Sequence, residues 1–257
     1  MFSANYHTHT FRCGHAIGTE REYIENAIKA GLKELGFSDH VPMPFFDGHE
    51  SDFRMKIADV GDYVSTLKTL RDEYSDRIKI FIGYEAEYYP AYFDSMLELI
   101  TGYDIDYLIL GQHFIYNEQS NYLGNYATSD SKLLSDYVDT VCDGISTGKF
   151  SYVAHPDLIR FEGDEDFYLE QMTRLCLAAK KADMPLEMNM MGAVQGWRCY
   201  PSKRFFTLAG KLGCDVIIGF DAHEPNVMLG MAEKLCREFL SDCNIVPIDY
   251  LKLKKVK

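Results

Sequence analysis

Seven short runs of β-forming residues, most followed by a stretch of helical periodicity, succeed one another without interruption, and few folds satisfy such an alternation. The runs are Phe2–His9, Glu34–Ser38, Ile78–Gly83, Tyr107–Gly111, Tyr152–Ala154, Pro185–Met188 and Asp215–Gly219. Between them, Thr19-Glu20-Arg21-Glu22 has the form of a capping box, with Ile24, Ala27 and Ile28 as an apolar face and Gly31 placed to stop the helix. Further helices are predicted from about Asp59, from about Tyr92, over Leu133–Ile145, Phe167–Ala182 and Ser202–Leu212, and from about Asn226 to Phe239. The segment Ile115–Ser129 is polar, carries Gly124 and Asn117, Asn121 and Asn125, and is expected to be a long loop over one end of the fold. Strands alternating with helices predict an α/β fold, a parallel barrel with its helices outside. No repeat or linker divides residues 1–257, which are expected to form one domain.

Composition removes several function classes. A net charge of −13 opposes a nucleic-acid partner, because such binding draws its affinity from Lys and Arg on phosphates. No apolar run approaches the roughly 20 residues that cross a bilayer, and the N-terminus has no signal-peptide pattern. The seven cysteines are odd in number, scattered and never in a CxxC arrangement, so they read as reduced thiols in a cytoplasmic protein. The tail Lys252–Lys257 reads as a solvated basic end.

Metal-capable residues fall at the C-terminal ends of the predicted strands, the face on which barrels build their sites. His7 and His9 end the first, Asp39 and His40 the second, Glu85 follows the third, His113 the fourth, His155 the fifth, and Asp221 and His223 the seventh. Two residues apart on extended chain, His7 and His9 point the same way, as do Asp221 and His223. Glu87 shares a face with Glu85 if the strand continues, which makes it the second candidate for a bridging carboxylate. Of the eight histidines only His49, in the polar Asp47–Asp52 loop, stands apart, and it reads as a surface residue. A structural zinc site is usually a closed tetrahedron of Cys and His, whereas mixed imidazole and carboxylate sets suit reactive zinc, iron or manganese. Arg160 and Arg198 follow ligand-bearing strands, and either guanidinium can grip a phosphate as a fork. Trp197 can pack on a substrate ring or serve ordinary packing.

In His7-Thr-His9, His15, Ser38-Asp39-His40, Gly83-Tyr-Glu85, Gly111-Gln-His113, Ala154-His155-Pro156 and Asp221-Ala-His223, the chain resembles the PHP (polymerase and histidinol phosphatase) metal-dependent phosphoesterases. His155-Pro-Asp-Leu-Ile-Arg160, Glu187-Met-Asn189 and Tyr200-Pro-Ser202 resemble the stand-alone histidinol-phosphatase branch, and Phe220 stands where that family's pattern has serine. The resemblance implies a distorted (β/α)7 barrel holding three divalent ions. His7, His9, Glu85 and Asp221 would hold the first. Glu85, as a bridge, with His113 and His155 would hold the second, and His15, His40 and His223 the third. Asp39 would orient a ligand histidine or, like His223 or a metal-bound water, protonate the leaving alkoxide. A hydroxide shared by two ions would attack phosphorus in line, with Arg160 and Arg198 on the phosphoryl oxygens. The implied substrate is a small phosphate monoester, L-histidinol phosphate in histidine biosynthesis, whose amine and imidazole could meet Glu87, Glu162 and Glu187. The alternatives are another small ester, such as a nucleotide or sugar phosphate, or a non-catalytic, metal-stabilised module attached to a polymerase. Oligomeric state and metal identity are left open.

Overall fold

The computed structural model describes residues 2–120, 122–124, 126–229 and 232–256. Parallel pairing joins strands β1 (Ala4–Asn5), β2 (Glu34–His40), β3 (Lys79–Ala86) and β4 (Tyr107–Leu110) in chain order, and β5 (Leu186–Asn189) to β6 (Val216–Gly219). Three bridges turn these sheets into a ring. Val153 pairs with Leu110 on one side and Leu186 on the other, and Thr8 pairs with Ala222. The predicted fifth strand is therefore a single bridging residue. Pro156 has no N–H with which to extend a ladder, and Val153 already spends its N–H on Pro185 O (3.0 Å) and its carbonyl on Glu187 N (2.8 Å). Strand one is also shorter than expected. Its continuation stays in the wall through Ser38 N–Thr8 O (2.8 Å) and His9 N–Ala222 O (2.9 Å), so His7 and His9 remain on the barrel rim.

Residue size explains the ring's interior. A Cβ at Gly36 would lie 2.2 Å from Tyr107 Oη, and one at Gly83 2.5 Å from Tyr107 Cε1, so both glycines make room for this ring inside the barrel. There Tyr107 Oη donates to Tyr6 O at 2.8 Å. Tyr6, Ile109, Tyr152 and Ile217 share this inner cluster, against which the half-buried Leu251 and Leu253 pack. The C-terminal tail is thus not a solvated end. Lys254 N donates to Ser151 Oγ (3.0 Å) and Lys254 Nζ to Ala182 O (3.1 Å), with Lys257 outside the described residues.

Outside lie α1 (Glu20–Ala30), α2 (Val60–Glu73), α3 (Phe93–Thr101), α4 (Ser131–Ser146), α5 (Glu165–Lys181), α6 (Met190–Gln195), α7 (Lys203–Leu212) and α8 (Glu233–Asp242). The capping box at Thr19 and Glu22 is formed in both directions, and Gly31 closes α1 at φ 88°. The helix expected from Asn226 to Phe239 is instead a 3₁₀ turn, Pro225–Leu229, followed by α8, with residues 230 and 231 outside the described set. The described residues of Ile115–Ser129 form a loop tied down by a bridge from Thr128 to Phe161; Asn121 and Asn125 are not among them. All seven cysteines are unpaired, and among the described residues no helix is long and apolar enough to cross a membrane.

Candidate metal centre

Glu85, next to last in β3, holds its carboxylate over the barrel mouth, where Gly111 leaves it space: a Cβ at 111 would stand 1.9 Å from Glu85 Oε1. Imidazoles surround it. His155 Nε2 lies 2.9 Å and His113 Nε2 3.6 Å from Oε1. His40 Nδ1 lies 3.1 Å from Oε2, with His7 Nε2 and His9 Nε2 each at 3.5 Å. Asp221 Oδ1 faces the same two imidazoles at 3.6 and 3.3 Å. On the rim, His15 Nε2 and His223 Nε2 are 2.9 Å apart. Four groups have ligand atoms within 4.8 Å of one another: His7, His9 and Asp221; His7, Glu85 and His155; His9, His40 and Glu85; His15, His40 and His223. A fifth joins Cys13, which the sequence reading left as an ordinary thiol, to His9 and His223.

Hydrogen bonds behind the ring decide which nitrogen faces inward. A carboxylate can only accept, so His7 Nδ1 donates to Glu187 Oε1 (2.8 Å) and His113 Nδ1 to Glu87 Oε1 (2.8 Å), leaving each Nε2 lone pair toward the centre. His15 Nδ1 donates to Cys13 O (3.0 Å) and His223 Nδ1 to Asp221 O (3.1 Å). Their Nε2 atoms therefore meet lone pair to lone pair, which only a cation or a proton between them satisfies. His7 Nε2, both nitrogens of His9, His40 Nδ1 and Glu85 Oε2 are buried without a hydrogen-bond partner among the described residues. Orphaned buried polar atoms are costly, and all of these but His9 Nδ1, which faces Asp39, converge on one space. The donors fit divalent metal ions.

Charge points the same way. Burial disfavours a proton on His7, but Glu187, Asp221 and Glu85 outweigh it and raise the imidazole to about 10. Burial opposes ionisation of Glu85 and Asp221, yet His113, His7 and His40 hold the first, and His7, His9 and His223 the second, well below the usual carboxylate range. Burial and then His9 push His40 and His223 down, His223 to about 3. Carboxylates this dry require positive charge beside them, as protons or as cations.

Other predicted residues lie elsewhere. Asp39 is buried behind His9 (Nδ1–Oδ1 3.5 Å), accepts from Thr10 Oγ1 and His40 N, and cannot reach a leaving group in the cleft. Glu87 is not a bridge, since it backs His113 and pairs with Arg54 Nη2 at 2.7 Å. Glu187 is not at the mouth, because it is shared among His7, His155 N and Asn189. Arg198 lines the cleft of about 510 Å³ above the centre, together with Phe53, Phe114, Tyr122, the exposed Trp197 and Tyr200. It is held by Gln195 (2.6 Å) and Tyr200 (2.7 Å). Arg160 does not enter that cleft. Pairing of Thr128 with Phe161 turns it into the adjoining one, where it binds Glu162 at 2.7 Å, although Arg198 and Trp197 form a wall common to both. His49 is not a plain surface residue, because Nε2 meets the buried Glu118 at 2.6 Å.

Sequence reasoning placed Asn189 in the Glu187-Met-Asn189 motif but gave it no role; it caps α6 by accepting from Gly192 N (2.8 Å) and donates to Glu187 and Asp221, both at 3.1 Å. The signal was the i,i+2 spacing of Glu187 and Asn189, the same as that of His7 and His9. Arg54 and Glu118 carried no such signal.

Comparison with known proteins supplies the context for this geometry. The family model for the PHP domain matches residues 5–191. A probable histidinol-phosphatase of Deinococcus radiodurans is 29% identical over 229 residues, 85% of each chain. A histidinol-phosphatase of Bacillus subtilis is 25% identical over 247 residues, covering 85% of this chain and 92% of its own. The crystal structure of histidinol phosphate phosphatase from Lactococcus lactis, complexed with zinc, L-histidinol and phosphate, superposes with a TM-score of 0.73 over 97% of this chain and 98% of that one, at 17% identity. With a barrel closed by the staves that carry these donors, and a family model spanning most of its length, the chain belongs to the PHP domain family.

Proposed function

We propose that this protein is a metal-dependent phosphomonoesterase that hydrolyses L-histidinol phosphate to L-histidinol and phosphate. The observation that carries this reading is the convergence of unpartnered imidazole and carboxylate atoms on Glu85 beneath an open cleft. Relatives named as histidinol-phosphatases, one of them solved with zinc, L-histidinol and phosphate, support the substrate.

In this reading three divalent ions share the donors: His7, His9, Glu85 and Asp221 for one, Glu85, His113 and His155 for another, and His15, His40 and His223 for the third. Zinc, manganese and iron all suit such a mixture. When bound, such ions supply Lewis-acid charge and water made acidic enough to attack at neutral pH. The chain does the rest. Glu187 and Glu87 fix the rings of His7 and His113, and Gly111 and Gly219 leave room for Glu85 and Glu187 to stand upright. Arg198, braced by Gln195 and Tyr200, offers its guanidinium to the phosphoryl oxygens. Arg160 would have to release Glu162 to join it, and a pair that exposed costs at most about 1 kcal/mol to open. Asp52 and the aromatic wall, rather than Glu87, Glu162 or Glu187, border the cleft where the substrate's amine and imidazole would lie.

A panel of phosphate esters tests the assignment. Protein reconstituted with zinc, manganese or iron should show kcat/KM for L-histidinol phosphate at least roughly a hundredfold above that for p-nitrophenyl phosphate or AMP, about 2.7 kcal/mol of differential binding. Comparable values across the panel would leave the chemistry standing and remove the substrate.

A further inference from the structure

A second network of charge runs away from the metal centre. His49 Nε2 lies 2.6 Å from Glu118 Oε1, Glu118 Oε2 accepts from Arg54 Nε at 2.5 Å, Arg54 Nη2 stands 2.7 Å from Glu87 Oε2, and Glu87 Oε1 accepts from His113 Nδ1 at 2.8 Å. Arg54 is 3% exposed, and the side chains of Glu87 and Glu118 are no more open. One buried guanidinium therefore balances two buried carboxylates, one just after β3 and one from the loop after β4. The Arg54–Glu87 contact is an ion pair rather than a well-angled hydrogen bond, since Nη2 and Oε2 find no hydrogen-bond partner among the described residues. The same two loops are stapled again by Gln119 Nε2 donating to Asp47 Oδ2 at 2.9 Å. Between them they present Phe53 and Phe114, 5.7 Å apart, to the cleft.

We propose that Arg54 is a positioning residue, which through Glu87 holds His113 with Nε2 toward Glu85, and that Glu118 makes the loop after β4 part of the metal centre's support. Glu87 orients His113 by accepting from Nδ1 with one oxygen, while Arg54 Nη2 stands 2.7 Å from the other and holds the carboxylate in that pose. Arg54 is itself fixed by donating from Nε to Glu118 and from Nη1 to Val41 O (3.4 Å), so the loop's seating and the ring's orientation are one arrangement. This rests on the metal-centre reading above.

Zinc affinity, measured by competition with a chromophoric chelator, separates this role from general packing. Arg54→Met should weaken zinc binding at one site by about 10- to 100-fold and lower kcat with little change in KM, the range typical for loss of a ligand's outer partner. Arg54→Lys, which keeps a cation beside Glu87, should recover most of that loss. Glu118→Gln, conservative and outside the ligand set, should weaken zinc in the same direction with the fold intact by circular dichroism, and it decides the matter if Arg54→Met does not fold. Arg71→Met, which breaks the Arg71–Asp106 pair (2.8 Å) away from the centre, should leave zinc affinity unchanged. Wild-type zinc affinity in Glu118→Gln and in any folded Arg54→Met, or an equal loss in Arg71→Met, would overturn the proposal. A wild-type protein that takes up no zinc would instead refute the metal centre, and this inference with it.

Discussion

Glu85 stands among five imidazoles, and its oxygens are not interchangeable with an amide. Five imidazoles reach one or other oxygen within 3.6 Å, so replacing the anion puts a neutral NH₂ donor among nitrogens that must also face cations. Glu85→Gln should lower kcat/KM by at least about a hundredfold and reduce bound metal. Glu162→Gln, on an exposed pair, should not lower activity. Equal losses in the two would mean the bridge is misassigned. Arg198→Ala should cost roughly tenfold to a thousandfold in kcat/KM, about 1.4 to 4 kcal/mol, with metal content unchanged. Arg160→Ala should cost about tenfold. Full activity there would confine Arg160 to the adjoining cleft. A quieter test lies at Gly219, where a Cβ would come within 1.7 Å of Glu187 Oε1. Gly219→Ala should displace Glu187 from His7 and weaken metal binding by about 10- to 100-fold, without touching a ligand.

Elements explain why some of this was legible and some was not. The capping box was readable because its partners are three residues apart in sequence, and Thr19→Ala should lower stability by about 1 kcal/mol in a denaturant titration without altering kcat. His7 and His9 were readable because extended chain repeats every two residues, and the other ligand residues because barrels gather their strand ends on one face; Asp221, at φ 51°, lies past the end of β6. The bridge at Val153 was placed by its β-rich run but not sized by it, since how many rungs form depends on partners at Leu110 and Leu186, far off in sequence. The α6 helix was missed because six residues carry too little periodicity, and its start is set by Asn189, whose other bonds reach Glu187 and Asp221. Arg160 was misdirected for a related reason: its position after His155 is local, while the pairing of Thr128 with Phe161 that turns it outward is not. The tail misled through its charge, because Leu251 and Leu253, half-buried, pack against the inner cluster whatever the lysines between and beyond them do.

At the scale of the whole molecule, the donors are contributed from around nearly the entire ring. His7 and His9 follow β1, His40 ends β2, Glu85 lies in β3, His113 follows β4, His155 follows the Val153 bridge, and Asp221 and His223 follow β6, while β5 sends Glu187 and Asn189 behind them. Ions bound here hold together staves that otherwise meet through few rungs: two residues in β1, a single pair at Thr8–Ala222 and single pairs on either side of Val153. Such donors are not gathered in an unfolded chain, so binding free energy is also folding free energy. One site occupied at a hundred times its Kd adds about 2.7 kcal/mol, and for a domain of this size each kcal/mol moves Tm by about 2–4 °C. Stripping the metals should therefore lower Tm by roughly 5–10 °C or more, and adding zinc back should restore it in a concentration-dependent way. His155→Ala, which lacks one donor, should show a smaller zinc-dependent rise than the wild type, whereas Thr19→Ala should show the same rise from a lower start. Scanning calorimetry with parallel elemental analysis would check this. Metal loss without a fall in Tm would mean that the ring stands without its ions, and that the orphaned atoms around Glu85 are satisfied some other way.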